Sequence, residues 1–133
     1  MSIVAVEKKK NRITFAWDSQ TTYYGSEAHQ DKNKVKVFGN LIFGFVGIVS
    51  SRHYIHNFLN ELANMGADIR FHNSFDVIRL FDEYRSRYEH LDHVSFQKED
   101  NTIISDGKKV FVYHPSKSDC YEVKGFEALG SGA

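Results

Sequence analysis

Cysteine is nearly absent from this sequence: Cys120 is the only one among 133 residues. One thiol cannot close an internal disulfide, so the disulfide-stapled class of small secreted domains is excluded and nothing asks for an oxidising compartment. Proline also occurs once, at Pro115, which rules out a proline-rich linker or a disordered tail. Net charge is missing as well, because 17 basic and 17 acidic residues cancel. A neutral total sets up no long-range field toward DNA, RNA or an anionic membrane, so nucleic acid is not an expected partner beyond what a local patch could hold. No basic segment followed by an apolar one opens the chain, so no signal peptide is expected. The longest apolar stretch, residues 41–49, runs to about nine residues, too short to span a bilayer. These absences exclude a membrane partner and leave the cytoplasm as the expected location.

Aromatic residues are plentiful, with 11 Phe, seven Tyr and one Trp, enough to fill a dense core in a chain of single-domain length. The whole of 1–133 is therefore expected to be one domain. Residues 3–6 and 13–17 are short β-rich runs separated by a charged turn over 7–12, and the second run ends at Asp18. Residues 19–33 are polar and predict a loop. Residues 34–38 and 41–46 flank Gly39-Asn40, a two-residue hairpin signal. Gly47 marks the change from strand to helix. Ser50 or Ser51 is the expected cap of a helix in which Ile55, Phe58, Leu59 and Leu62 repeat at helical spacing, and Met65-Gly66 ends it. Ser74 is the expected cap of a second helix carrying Val77, Leu80, Phe81, Tyr84, Tyr88 and Leu91. Strands are then expected over 93–97, 102–105, 110–114 and 121–123, with Asp106-Gly107 as a hairpin turn. Strands grouped before and after a pair of helices indicate α+β with an antiparallel sheet. Strands apolar on both sides need two covers: the helices on one face, a second sheet on the other.

The first hairpin has a chemical consequence. A strand that starts at residue 3 brings Ser2 beside Asp18 at the end of its partner. Lys34 opens the next strand, and Gly47 lies past the end of that strand's neighbour. Adjacent strands sit about 4.8 Å apart, so these groups can share one end of a sheet. Such a cluster suits a nucleophile at the chain terminus. A free α-amine titrates near about 8 and can act as base for the hydroxyl on its own residue. A lysine ammonium favours the neutral amine and the developing alkoxide. A carboxylate keeps that lysine charged, and a glycine admits a backbone N–H donor to an oxyanion.

The segments SIVAV, ITFAWDSQTTYYG and NKVKVFGNLIFGFVG, with EALGSGA near the end, resemble the proteasome β-subunit family and most closely its bacterial HslV type. The resemblance covers nearly all of the chain. It implies an αββα four-layer sandwich of the N-terminal nucleophile (Ntn) hydrolases, here stopping short of the family's C-terminal helices and strands. It implies peptidase activity without a cofactor or a metal, on peptide or unfolded protein. It also implies assembly into a homo-oligomeric ring fed by an ATP-dependent unfoldase. Residue by residue, Ser2 would be the nucleophile once Met1 is removed, and Asp18 and Lys34 the charged pair beside it. Gly47 would be the oxyanion donor, Thr22 a backbone partner of bound peptide, and Ser131 a support for the α-amine. The chain departs from the family in offering serine where threonine is usual, which keeps the hydroxyl and loses the methyl that fixes its rotamer. Two registers fit: counting back from Asp18 puts Ser2 at the nucleophile position, and counting from Ile3-Val4 puts Met1 there.

Each residue also has an ordinary reading. Ser2 is a terminal residue, Asp18 a turn residue and Lys34 a solvated edge lysine. His53 with His56, and His90 with His93, have i,i+3 spacing but no third metal ligand. Cys120 has no histidine partner and is expected to be a plain cysteine. Two other functions share the fold: an inactive scaffold or binding subunit, and a small-molecule amidohydrolase.

Overall fold

Arg12 to Trp17 turn back on the first strand through Lys10 and Asn11, and the chain's architecture grows from that hairpin. In the computed structural model, which describes residues 3–18, 20–23, 27–30, 34–47, 49–88 and 100–130, β1 (Ile3–Lys9) pairs antiparallel with β2 (Arg12–Trp17). β3 (Gln20–Tyr23) and β4 (Glu27–Gln30) form a separate two-stranded sheet. β5 (Val35–Phe38) and β6 (Leu41–Val46) follow, then α1 (Val49–Asn64) and α2 (Ser74–Tyr88). β7 (Asn101–Ser105), β8 (Val110–His114), β9 (Asp119–Val123) and β10 (Phe126–Gly130) complete the described elements. The large sheet has the order β5-β6-β7-β8-β9, and a three-stranded sheet has the order β10-β1-β2. Every pairing is antiparallel.

Side-chain alternation in the large sheet builds two cores, because successive residues of a strand face opposite sides. Phe43, Phe45, Ile104, Phe111 and Tyr113 point to the helices, where they meet Phe58 and Leu59 of α1 and Phe81 and Tyr84 of α2. Ile103, Val110 and Val112 point the other way, against Val4, Val6 and Leu129 of the small sheet. The helix-side core is aromatic and the inter-sheet core is built of Val, Ile and Leu. Phe81 and Tyr113 lie 4.6 Å apart, ring centre to ring centre, inside the offset range that aromatic pairs favour. The far face of the small sheet carries Ala5, Ala16 and Ala128 with Phe126 exposed, and neither described helix lies on it. The fold is thus α+β, with three of the four layers of the expected sandwich present among the described residues.

Several local expectations change. The 19–33 segment contains the β3–β4 ribbon, although read from its polar residues as a loop. Ser50 and Ser51 lie inside α1, which already starts at Val49, so neither is its cap. Asn73 caps α2 in place of Ser74: its Oδ1 accepts the N–H groups of Phe75 at 3.0 Å and Asp76 at 3.3 Å. Residues 126–130, to which the sequence reading assigned no strand, supply β10, which pairs with β1. Asp106-Gly107 does turn the chain between β7 and β8. The buried Asp106 carboxylate accepts the N–H groups of Lys108, Lys109 and Phe71. Burial pushes that carboxyl up, but these backbone donors and Arg70 outweigh it and hold it below the usual carboxylate range. Leu91, His90, His93 and the strand expected over 93–97 lie outside the described residues.

Candidate active site

Antiparallel register gathers many element ends at one edge of the molecule. Val4 lies opposite Trp17, and Ile3 opposite Gly130, so the start of β1 sits between the ends of β2 and β10. The Asp18 N–H donates to the Ile3 carbonyl at 3.3 Å, which continues the hairpin to its last residue. Ser2 and Ser131, each one residue beyond a described partner in the Ile3–Gly130 pair, lie outside the described residues. In the large sheet the Phe45 N–H donates to the Lys34 carbonyl at 2.9 Å, extending the β5–β6 ladder back to Lys34.

Gly44 brings the two sheets together. A Cβ at this position would lie 2.9 Å from Cγ1 of Val4 and 3.6 Å from Cγ2 of Val35, so only glycine lets β1 settle this closely over β6. Sequence reasoning missed Gly44, yet the signal was there: a lone glycine inside an apolar strand run marks a close approach. The consequence is a pairing across sheets. The Lys34 ammonium donates to Oδ1 of Asp18 and forms an ion pair with it. The lysine side chain is 3% exposed and the aspartate 35%. The ordinary reading of Lys34 as a solvated edge lysine is therefore corrected: it is a buried cation whose carboxylate partner opens toward solvent. Moving an ammonium out of water is costly unless it is paired, so this arrangement fixes where the charge sits.

Gly47 follows β6 with φ +151°, a backbone state that side chains disfavour. An added Cβ would lie 2.8 Å from Cα of Asp100 and 2.9 Å from its Cγ. Asp100 is fully buried just before β7, next to the Val46–Asn101 pair. Its role against Gly47 was not legible, since an aspartate at a strand start is ordinarily a turn residue. Ser51 and Arg52, in the first turns of α1, are buried too. Thr22 sits in β3 opposite Ala28. Among the sequence-derived candidates, the structure joins Asp18 with Lys34 and places Gly47 just past the end of β6.

Other candidates stay apart from this cluster. Cys120 lies in β9 against the helix-side core. Burial, and then the neighbouring Asp119 charge, push its thiol up to about 12, the opposite of an activated nucleophile. His53 is exposed on α1, while the His56 ring meets Phe38 at a tilt and Phe43 edge-on. Among the described residues no group of three or more His, Cys, Asp or Glu is disposed to hold a metal. No described helix is long and apolar enough to cross a membrane.

No protein-family model matches the chain, and no curated protein matches it either. Solved structures do. BPH from Thiobacillus denitrificans superposes with a TM-score of 0.77 at 15% identity, covering 98% of this chain and 73% of that one. HslV from Trypanosoma brucei gives 0.67 at 12% identity, covering 98% and 72%. Anbu from Yersinia bercovieri, an ancestral β-subunit, gives 0.70 at 16% identity, covering 98% and 61%. The chain therefore spans about three-quarters of the first two proteins and three-fifths of the third. Identities this low carry the fold alone, and on that ground the chain has the proteasome-like fold shared by HslV, Anbu and BPH.

Proposed function

We propose that this chain is an Ntn-type peptidase subunit that cleaves peptide bonds with a hydroxyl at its own terminus. The observation that carries the reading is the buried Lys34–Asp18 ion pair, held where β1 begins by the Asp18–Ile3 hydrogen bond. In this reading Met1 is removed and Ser2 becomes the terminal residue. Its α-amine takes the proton from Oγ as Oγ attacks the substrate carbonyl. The Gly47 N–H donates to the oxyanion, and the Lys34 ammonium stabilises the alkoxide that forms. The proton then passes to the departing amine, leaving an ester on Ser2. Water, deprotonated by the same α-amine, hydrolyses that ester. Asp18 anchors and aims the Lys34 ammonium. The backbone of Thr22 pairs with bound peptide, and Ser131 steadies the α-amine.

A ring of like subunits in the cytoplasm, supplied by an ATP-dependent unfoldase with peptide or unfolded protein, completes the proposal. The Pseudomonas aeruginosa Anbu is described as a helical assembly, which supports association among proteins of this fold. Epoxomicin, with which the Thiobacillus BPH has been solved, is the natural probe. Intact mass is expected to show Met1 lost and one equivalent of epoxomicin added, and Ser2→Ala is expected to abolish both addition and peptide turnover. Retained Met1, or unchanged turnover in Ser2→Ala, would remove Ser2 as nucleophile. The scaffold reading draws on a different observation: serine stands where the family pattern has threonine, and the register counted from Ile3-Val4 puts Met1 at the nucleophile position. Assembly with Met1 in place and no turnover would favour it.

A further inference from the structure

At the end of the sheets away from Lys34, three turns from separate parts of the chain converge. They are the β1–β2 tip, the β7–β8 turn at Gly107-Lys108 and the β9–β10 turn at Lys124-Gly125. The Lys8 N–H donates to the Gly125 carbonyl at 2.7 Å, tying the first turn to the third. A cavity of about 330 Å³ lies between the first and second turns, lined by Lys8, Lys10, Asn11, Arg12 and Lys108. A second, of about 220 Å³, shares Lys8 and Lys10 and adds Lys9, Lys124 and Glu122. Six cations thus meet here in a chain whose 17 basic and 17 acidic residues cancel.

Internal pairing leaves most of that charge uncompensated. Lys9 reaches Glu7 at 3.9 Å, and Glu122 borders only the smaller cavity. Lys10, Arg12 and Lys108 make no side-chain hydrogen bond or ion pair among the described residues. The lining is also shaped in advance. The Lys8 ammonium donates to the carbonyls of Lys9 at 2.9 Å and Lys10 at 3.4 Å, which braces the tip. Asp106 holds the N–H groups of Lys108 and Lys109 at 2.9 Å each, which braces the opposing turn. Lys109 itself turns away to the His72 carbonyl.

We infer that the larger cavity binds a compact oligophosphate, as a free chain or as the tail of a nucleotide. Ammonium and guanidinium groups only donate, so a matching ligand must accept hydrogen bonds and carry several negative charges. The Arg12 fork suits paired phosphoryl oxygens. The volume sits at the small end of ligand sites, roughly 300–1,000 Å³, and no carboxylate side chain lines it. A duplex or an extended acidic peptide would need a basic face longer than this concavity, and Glu122 and Glu7 interrupt the flank.

Calorimetric titration of the full chain with tripolyphosphate, at constant ionic strength, tests the site. One equivalent per chain is expected, at least tenfold tighter than sulfate. The exposed-turn variant Lys10→Glu/Lys108→Glu should weaken it at least tenfold with its thermal midpoint unchanged. Arg12→Gln, expected to weaken binding several-fold, serves if that double variant does not fold. ATP binding as tightly as tripolyphosphate would mark the phosphate chain as the recognised part. The inference is overturned if sulfate binds as tightly as tripolyphosphate, or if the variants bind within twofold of the parent. Binding of a glutamate-rich peptide or duplex DNA without tripolyphosphate would overturn it equally. Ser2→Ala leaves this site untouched, so its result and that of the peptidase reading separate cleanly.

Discussion

At the scale of single residues the informative contrast lies within one ion pair. Lys34 is enclosed and Asp18 is partly open, so removing either leaves a different remainder. Asp18→Ala removes a carboxylate partner from the enclosed Lys34 ammonium and is expected to cost about 1.5–3 kcal/mol, the range for a hydrogen bond to a charged group. Lys34→Met leaves a carboxylate that water can reach and is expected to cost less. Chemical denaturation of both variants checks the order, and in the peptidase reading both lose turnover. Cys120 gives a second contrast. Its thiol, raised to about 12 from 9.0 mainly by burial, stays protonated at neutral pH. Iodoacetamide at pH 8 is expected to leave it unmodified in the folded chain and to label it in denaturant, as mass spectrometry will show. The neutral thiol's contribution to stability is present in full below pH 9 and is lost as pH rises through about 12, because the fold favours the protonated form.

At the scale of elements, the side chain that ends or begins a segment decides more than its middle. Asn73→Ala removes the Oδ1 acceptor of two N–H groups at the start of α2 and is expected to cost about 1 kcal/mol, read as a lower denaturation midpoint. The caps are also where the sequence was hardest to read. Asn73 and Ser74 are both good capping residues side by side, and only the N–H groups of Phe75 and Asp76, which donate to Asn73 Oδ1, decide between them. The β5–β6 and β7–β8 hairpins were plain from Gly39-Asn40 and Asp106-Gly107, because turn chemistry is local. α1 and α2 were plain from their apolar spacing, because each buries one stripe. The β3–β4 ribbon was hidden because its polar residues leave no alternating apolar signal. β10 was hidden because its value lies in pairing with β1, a contact no local pattern encodes. The site divides the same way. The hairpin logic that sets residue 3 beside Asp18 was legible. The burial of Lys34 was not, since it depends on Gly44 letting one sheet down onto the other.

At the scale of the whole molecule, the large sheet separates two cores of different character, and α1 and α2 close only one of them. Phe58, fully buried between the helices and the sheet, is expected to cost about 3–5 kcal/mol as Phe58→Ala, measured by thermal unfolding. The inter-sheet core depends instead on β1, whose two neighbours, β2 and β10, come from nearly opposite ends of the described chain. A ribosome makes β10 more than a hundred codons after β1, by the residue numbers of the two strands. Throughout that interval β1 has a partner on one flank and bare amide groups on the other, open to any passing chain. Slower synthesis or extra chaperone during that interval is therefore expected to raise the fraction recovered in usable form, as expression at reduced temperature would show.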